Sequence, residues 1–116
     1  MTTYILNSPV LTAYGEYSFV GPVTVAAARG LLADGFTSAV GHAAGAEFLT
    51  QLLGLPVPLN RIAIEMQPGD RAVVLRLMER LPENRSLSLE EVRLFPSELG
   101  LLVRLQTPNT ANSHTA

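Results

Sequence analysis

The sequence predicts a single compact α/β domain built on a mixed β-sheet flanked by helices. Short apolar runs of strand length alternate with two longer stretches of helical spacing, and glycine or proline punctuates most junctions between them. The chain has 116 residues, 47% of them hydrophobic, which is enough for one core and little more. The apolar face of each helix needs a sheet to cover, so strands and helices belong in one layered domain. That domain is expected over residues 1–106, followed by a disordered tail over residues 107–116, where Thr, Asn, Pro, Ala, Ser and His follow one another without an apolar period. A domain this small gains buried surface by pairing two copies, so a homodimer is expected.

The elements follow in chain order. Tyr4 to Asn7 reads as an opening strand that Ser8-Pro9 interrupts. Val10 to Tyr17 reads as a connection or hairpin around Gly15. Val23 to Ala33 carries Val25, Ala28, Leu31 and Leu32 at helical spacing, with Pro22 suited to a first helical turn and Gly35 to the stop. Phe36 to Val40 reads as a central strand, followed at once by Gly41-His42 and a helix to about Leu53, with Ala43, Ala46, Leu49 and Leu53 along one side and Gly54 as the stop. Leu55 to Asn60, with Pro56 and Pro58, is a rigid loop. Arg61 to Met66 alternates with Ile62 and Ile64 on one face, Pro68-Gly69-Asp70 makes a turn, and Arg71 to Leu77 returns as a strand, so a hairpin is expected here. Leu81 to Leu87 is a polar connection. Ser88 and Glu91 then have capping-box spacing for a short helix ending near Pro96, and Leu99 to Leu105 forms the last strand.

Composition removes several kinds of chemistry. With no cysteine there are no disulfides, thiol nucleophiles or cysteine-based zinc clusters, and the two histidines, His42 and His114, cannot complete a structural zinc site alone. Any metal would need oxygen ligands. All eight basic residues are arginine, which excludes Schiff-base chemistry and a lysine base but leaves fork-like recognition of phosphate or carboxylate. Ten acidic residues bring the net charge to -2, which argues against coating a long nucleic acid, since such binding rests on neutralising many phosphates. The N-terminal segment has neither a basic leader nor an apolar run long enough for a membrane span, so no membrane partner and a cytoplasmic location are expected.

The strand-to-helix junction at Gly41-His42 is the most informative local feature. Unpaired backbone N–H groups at a helix start receive anions, and the helix dipole favours negative charge there. Gly41 before the histidine and Gly45 after it let the backbone approach a ligand. His42 then reads either as an imidazole beside a phosphate, poised as a general acid, or as a histidine packed at a helix start. The Gly-His-Ala-Ala-Gly stretch is not a nucleotide P-loop, because it lacks the Gly-Lys-Ser/Thr ending. Arg80, Glu83 and Arg85 form a second cluster, able to bind phosphate and orient a hydroxyl, or equally to form a solvated charged loop. Arg76 and Glu79 beside them read as surface charges that pair weakly. Asn7-Ser8 and Asn60-Arg61 offer ligand contacts or backbone-satisfying turns, and Asp70 reads as a turn residue.

Taken together, Tyr4-Ile5-Leu6-Asn7-Ser8, Phe36-Thr37-Ser38-Ala39-Val40-Gly41-His42, Asn60-Arg61, Arg80-Leu81-Pro82-Glu83 and Leu87-Ser88-Leu89-Glu90-Glu91 resemble, in order and spacing, the small viral and bacterial ring-nuclease family used as a type III anti-CRISPR. The resemblance covers about the first 105 residues and leaves out the tail. It implies a homodimer that binds cyclic tetra-adenylate in a pocket across its two-fold axis and cleaves it without metal, disarming a second messenger that activates defence nucleases. It implies His42, Arg80 and Glu83 as the catalytic residues and Asn7 as a ligand contact with Ser8 as its neighbour, and Gly41, Ala43, Arg61 and Arg85 complete the expected ligand-binding set. The implied reaction, which needs no cofactor, is attack of a ribose 2'-hydroxyl on its adjacent phosphodiester, with His42 donating to the departing 5' oxygen, Arg80 stabilising the phosphoryl oxygens and Glu83 positioning His42 or raising its basicity.

The chain departs from the family where members often carry a hydroxyl residue shortly after the histidine, since Ala43, Ala44 and Gly45 stand there. That makes ring binding a firmer expectation than the rate of cleavage. Two other classes remain open on the residues alone: a non-catalytic module that senses or sequesters the nucleotide, and a small dimer acting through protein contacts. Juxtaposition of His42 with Arg80 and Glu83 favours catalysis, and their separation in the folded dimer favours one of the alternatives.

Overall fold

The structure, a computed structural model, describes residues 1–9, 13–82 and 84–106. Among the described residues eight elements follow in the order β1 (Thr3–Leu6), β2 (Tyr17–Val23), α1 (Val25–Leu32), β3 (Thr37–Ser38), α2 (Ala43–Leu53), β4 (Arg71–Leu77), α3 (Leu89–Leu94) and β5 (Ser97–Arg104). The strands form one mixed sheet in the order β2-β5-β4-β1-β3. β1 runs parallel to both β3 and β4, while β5 pairs antiparallel with β4 and with β2. The expected mixed-sheet α/β domain is therefore the observed one. The expected tail over residues 107–116, including His114, lies outside the described residues.

Strand alternation divides the core into two layers. Ile5, Val73, Leu75 and Leu99 face the helices and pack with Ala28 and Leu32 of α1, with Phe48, Leu49 and Leu53 of α2, and with Val92 of α3. Leu6, Ala72, Val74 and Leu102 face the other side and pack with Met66 and the partly buried Ile64. β4 has four consecutive buried residues, Ala72 to Leu75, as a strand covered on both faces must. Phe48 and Phe95 add an edge-to-face contact with ring centroids 5.6 Å apart.

Four expectations change. Arg61 to Met66 is not a strand and forms no hairpin with β4, whose two edges are already taken by β1 and β5. The segment instead crosses the face opposite the helices, where Ile64 and Met66 cover apolar side chains that no helix reaches. The segment before α1 contains a strand, because Tyr17 to Val23 pairs with β5, and Pro22 belongs to that edge strand rather than to a helical turn. The register shifts between Val20 and Val23 around a cis Gly21-Pro22 bond, so proline sits where the ladder is already interrupted. Gly100 of β5 accepts the Phe19 ring, whose Cε1 would lie 2.6 Å from a Cβ at that position. α1 accordingly starts at Val25, with the Thr24 hydroxyl accepting from Ala27 N–H at 3.0 Å.

The strand expected over Phe36 to Val40 is only Thr37–Ser38, and it lies at the sheet edge, not the centre. The fourth change is at β5, which begins at Ser97, two residues before the expected Leu99. The turn before β4 forms as expected: Asp70 N–H donates to Gln67 O at 2.9 Å and Gly69 takes a φ of 93°. The buried Asp70 carboxylate also accepts from Thr2 N–H and Gln67 N–H, each at 2.8 Å, tying the start of β1 to the turn. α3 carries its capping box in full. Among the described residues no helix is long and apolar enough to cross a membrane.

Candidate functional site

The carboxyl ends of parallel strands β1 and β3 meet the start of α2 at one corner of the sheet. Open α/β sheets bind ligands at this kind of end. His42 is the N-cap residue of α2, with extended backbone angles of φ -128° and ψ 133°, and its exposed side chain makes no capping hydrogen bond. α1 and α3 are both capped by a hydroxyl, Thr24 and Ser88. α2 thus starts with first-turn N–H groups that no side-chain cap covers, in a stretch of small residues, Ala43, Ala44 and Gly45. Such groups carry the positive end of the helix dipole.

Asn7 and Ser8 leave β1 half-buried beside this turn. A Cβ on Gly45 would lie 3.4 Å from Asn7 Cβ and 3.8 Å from its Nδ2, ordinary contact distances, so the asparagine lies directly against the helix start. Asn7, Ser8, Gly41 and His42 line an open cleft of about 210 Å³ whose other wall is Ile62, Ala63 and Ile64. Arg61 clasps the corner, its Nε donating to Gly41 O at 2.6 Å. Ala43 lies on the next depression along the same helix start, together with Arg85.

The sequence-expected residues therefore divide. Asn7, Ser8, Gly41, His42, Ala43 and Arg61 gather at one corner. Arg80 is exposed and makes no hydrogen bond or ion pair with the described residues, and it is not among the residues lining the His42 cleft. Glu83 lies outside the described residues. Arg85 is engaged elsewhere, its two Nη atoms each 2.9 Å from an oxygen of Glu91. Arg76 pairs with Glu98 across β4 and β5 at 2.8 Å, not with Glu79. Among the described residues no three His, Asp or Glu side chains cluster as a metal site.

The Arg85 guanidinium, the Ser88 backbone and the capping geometry hold the Glu91 carboxyl at about 2, well below its ordinary 4.5, and Glu91 in turn raises Arg85. A depressed carboxyl stabilises the fold above its ordinary range and releases that contribution as pH falls through its folded value. The contact between Arg85 and α3 is therefore expected to stay formed from neutral pH down through 4.5 and to open as pH approaches about 2. Following the Glu91 side-chain carbonyl resonance by NMR against pH checks this: a midpoint near 4.5 would show that the pair does not hold.

Ser38 and Asn60 hold this corner together, which their place in the sequence does not announce. Asn60 Nδ2 donates to Ser38 O at 2.7 Å, and the Ser38 hydroxyl donates to Pro58 O at 2.6 Å. The available signal was a serine interrupting the apolar run from Phe36 to Val40, a position that only a specific partner makes favourable when buried.

Comparison with known proteins places these features in a wider set. The family model described as STIV B116-like matches residues 3–99. The Acidianus two-tailed virus protein ORF117 is 38% identical over 72 residues, covering 61% of this chain and 62% of that protein. Protein 26 of a Sulfolobus islandicus filamentous virus is 36% identical over 92 residues, 76% of this chain and 78% of its own. The Bacillus subtilis protein YddF is 32% identical over 108 residues, 90% of this chain and 99% of its own. The solved structure of B116 from Sulfolobus turreted icosahedral virus superposes with a TM-score of 0.73 at 17% identity, over 90% of this chain and all of that one, a likeness of fold.

Proposed function

The chain belongs to the STIV B116-like family, and from that premise we propose that it is a homodimeric, metal-independent ring nuclease that cleaves cyclic tetra-adenylate into linear di-adenylates, countering type III CRISPR signalling. The observation that carries this reading is the exposed His42 imidazole at the uncapped start of α2, with Asn7 and Arg61 at the same corner. A phosphodiester seated on the first-turn N–H groups has its anionic oxygens at the positive end of the helix dipole and its leaving oxygen beside an imidazole.

In the proposed reaction a ribose 2' oxygen forms a bond to phosphorus, and the bond from phosphorus to the 5' oxygen breaks. His42 in its protonated form delivers the proton that the 5' oxygen takes, and the 2' proton passes to solvent. The products carry a 2',3'-cyclic phosphate and a 5'-hydroxyl. Arg80, exposed and uncommitted among the described residues, is assigned to the phosphoryl oxygens. Glu83 is assigned to positioning His42 by resemblance alone. A four-nucleotide ring has a two-fold arrangement of phosphates that a two-fold dimer matches, which gives the second copy a role.

A second reading, a protein that holds the ring without cutting it, draws on two observations: Arg80 does not line the His42 cleft, and no hydroxyl side chain follows His42 in the first turn. Incubation of the purified protein with cyclic tetra-adenylate in excess EDTA, with chromatography of the products, separates the two. Linear dinucleotides support cleavage, tight binding without products supports sequestration, and neither binding nor products overturns both.

A further inference from the structure

His42 makes no side-chain capping contact, so its place in the cleft depends on how the backbone of residues 38–42 is held. β3 contributes little to that hold. It is two residues long and hydrogen-bonds to the sheet on one side only, through β1. Its outer edge presents carbonyl groups that need partners if they are not to be left unsatisfied.

The segment after α2 supplies them in sequence. The Thr50 hydroxyl accepts from Val57 N–H at 2.9 Å and thereby ties the segment to α2. Val40 and Leu59 form an isolated parallel bridge. Asn60 then engages the strand edge twice, its backbone N–H donating to Val40 O at 2.8 Å and its side-chain Nδ2 to Ser38 O at 2.7 Å. The Ser38 hydroxyl completes the loop by donating to Pro58 O at 2.6 Å and accepting from Val40 N–H at 3.3 Å. Ser38 and Val40 are buried, so these bonds are sheltered from competing water. Arg61 follows with its bond to Gly41 O. The carbonyls of Ser38, Val40 and Gly41 are thus all held from residues 60 and 61, and the next residue in the chain is His42.

From this geometry we infer that Asn60 is a positioning residue for His42, acting through Ser38 and the residue 38–42 backbone and not through contact with a ligand. The inference rests on the ring-nuclease reading for its kinetic readout but not for its structural one. The Asn60 carboxamide Nδ2 is engaged by Ser38 O, and Asn60 is not among the residues lining the His42 cleft. Small misplacements of a catalytic group lower turnover steeply while leaving substrate affinity largely intact.

The test uses the full chain as wild type, Asn60→Ala, Asn60→Asp and Ser38→Ala, each labelled with ¹⁵N at histidine. Asn60→Asp keeps the shape but cannot donate to Ser38 O, and Ser38→Ala reaches the same corner by another bond, so the test survives if one variant fails to fold. His42 is assigned by its disappearance in His42→Ala, and His114 serves as the internal reference. The expected result is displaced His42 imidazole resonances in the Asn60 and Ser38 variants, with kcat for cyclic tetra-adenylate lowered about 10- to 100-fold and KM within about threefold of wild type. Unmoved His42 resonances overturn the inference, as does a KM raised tenfold or more at unchanged kcat, which marks a direct ligand contact. If wild type does not cleave the ring, the ring-nuclease reading fails, and the resonances alone then decide the inference about Asn60.

Discussion

His42→Ala is expected to lower single-turnover cleavage of cyclic tetra-adenylate by about 10²- to 10⁴-fold, the range that a positioned general acid contributes. The 5' oxygen is a poor leaving group unless it receives a proton as its bond to phosphorus breaks, and an alanine methyl cannot supply one. Ring binding is expected to change only severalfold, because the first-turn N–H groups of α2, Asn7 and Arg61 are untouched by the substitution. Stability is expected to stay within about 0.5 kcal/mol of wild type, since the side chain is exposed and makes no capping hydrogen bond. Rapid-quench kinetics beside a thermal melt checks all three. A variant that cuts as fast as wild type would remove His42 from the chemistry.

Leu49→Ala is expected to have the largest effect on stability. Leu49 is fully buried on α2, in the cluster that joins that helix to Ile5 of β1 and to Val73 and Leu75 of β4. Removing its isobutyl group loses the transfer free energy of the missing carbons and leaves a cavity that rigid strands fill only in part, a loss of about 2–5 kcal/mol. Domains of this size are stable by about 5–15 kcal/mol, so much of the margin goes, and the midpoint of thermal unfolding falls by roughly 10–30 °C. Urea unfolding followed by circular dichroism checks the prediction. An unchanged midpoint would mean that α2 does not dock on the sheet through this side chain, and His42 would lose the support that places it.

The contrast between these substitutions reflects which features the sequence makes legible. Leu49 and Leu53 repeat at helical spacing and Gly54 stops the helix with a φ of 71°, so α2 can be read locally. Ser88 and Glu91 state the start of α3 in the same direct way. β2 is hidden because Gly21-Pro22 resembles a break, whereas the strand continues through a register shift whose partner, β5, lies some eighty residues further along the chain. The alternation around Ile62 and Ile64 is also ambiguous by itself. Whether it becomes a strand or a cover over the sheet depends on β4 already having two neighbours, a fact of the whole topology.

The site divides along the same line. Gly41-His42 and the small residues that follow point to an open helix start from local chemistry alone. Asn7 reaches it because β1 and β3 are parallel neighbours, which neither segment states by itself. The hydrogen bonds from Asn60 and Arg61 connect residues about twenty positions apart, and only the fold reveals that they hold the His42 backbone. The spacing of Arg80 and Arg85 suggests one cluster, yet Arg85 is taken by Glu91 on α3 and Arg80 is left uncommitted among the described residues.

Whether the protein is a metal-independent ring nuclease is decided by the mass of the products formed from cyclic tetra-adenylate in ¹⁸O-labelled water with excess EDTA. Internal attack by the 2' oxygen adds no water, so one cut is expected to give a linear isomer with the mass of the ring and a second cut two di-adenylates of half that mass, all free of ¹⁸O and ending in a 2',3'-cyclic phosphate. A ring that remains intact beside correctly folded protein would contradict the account.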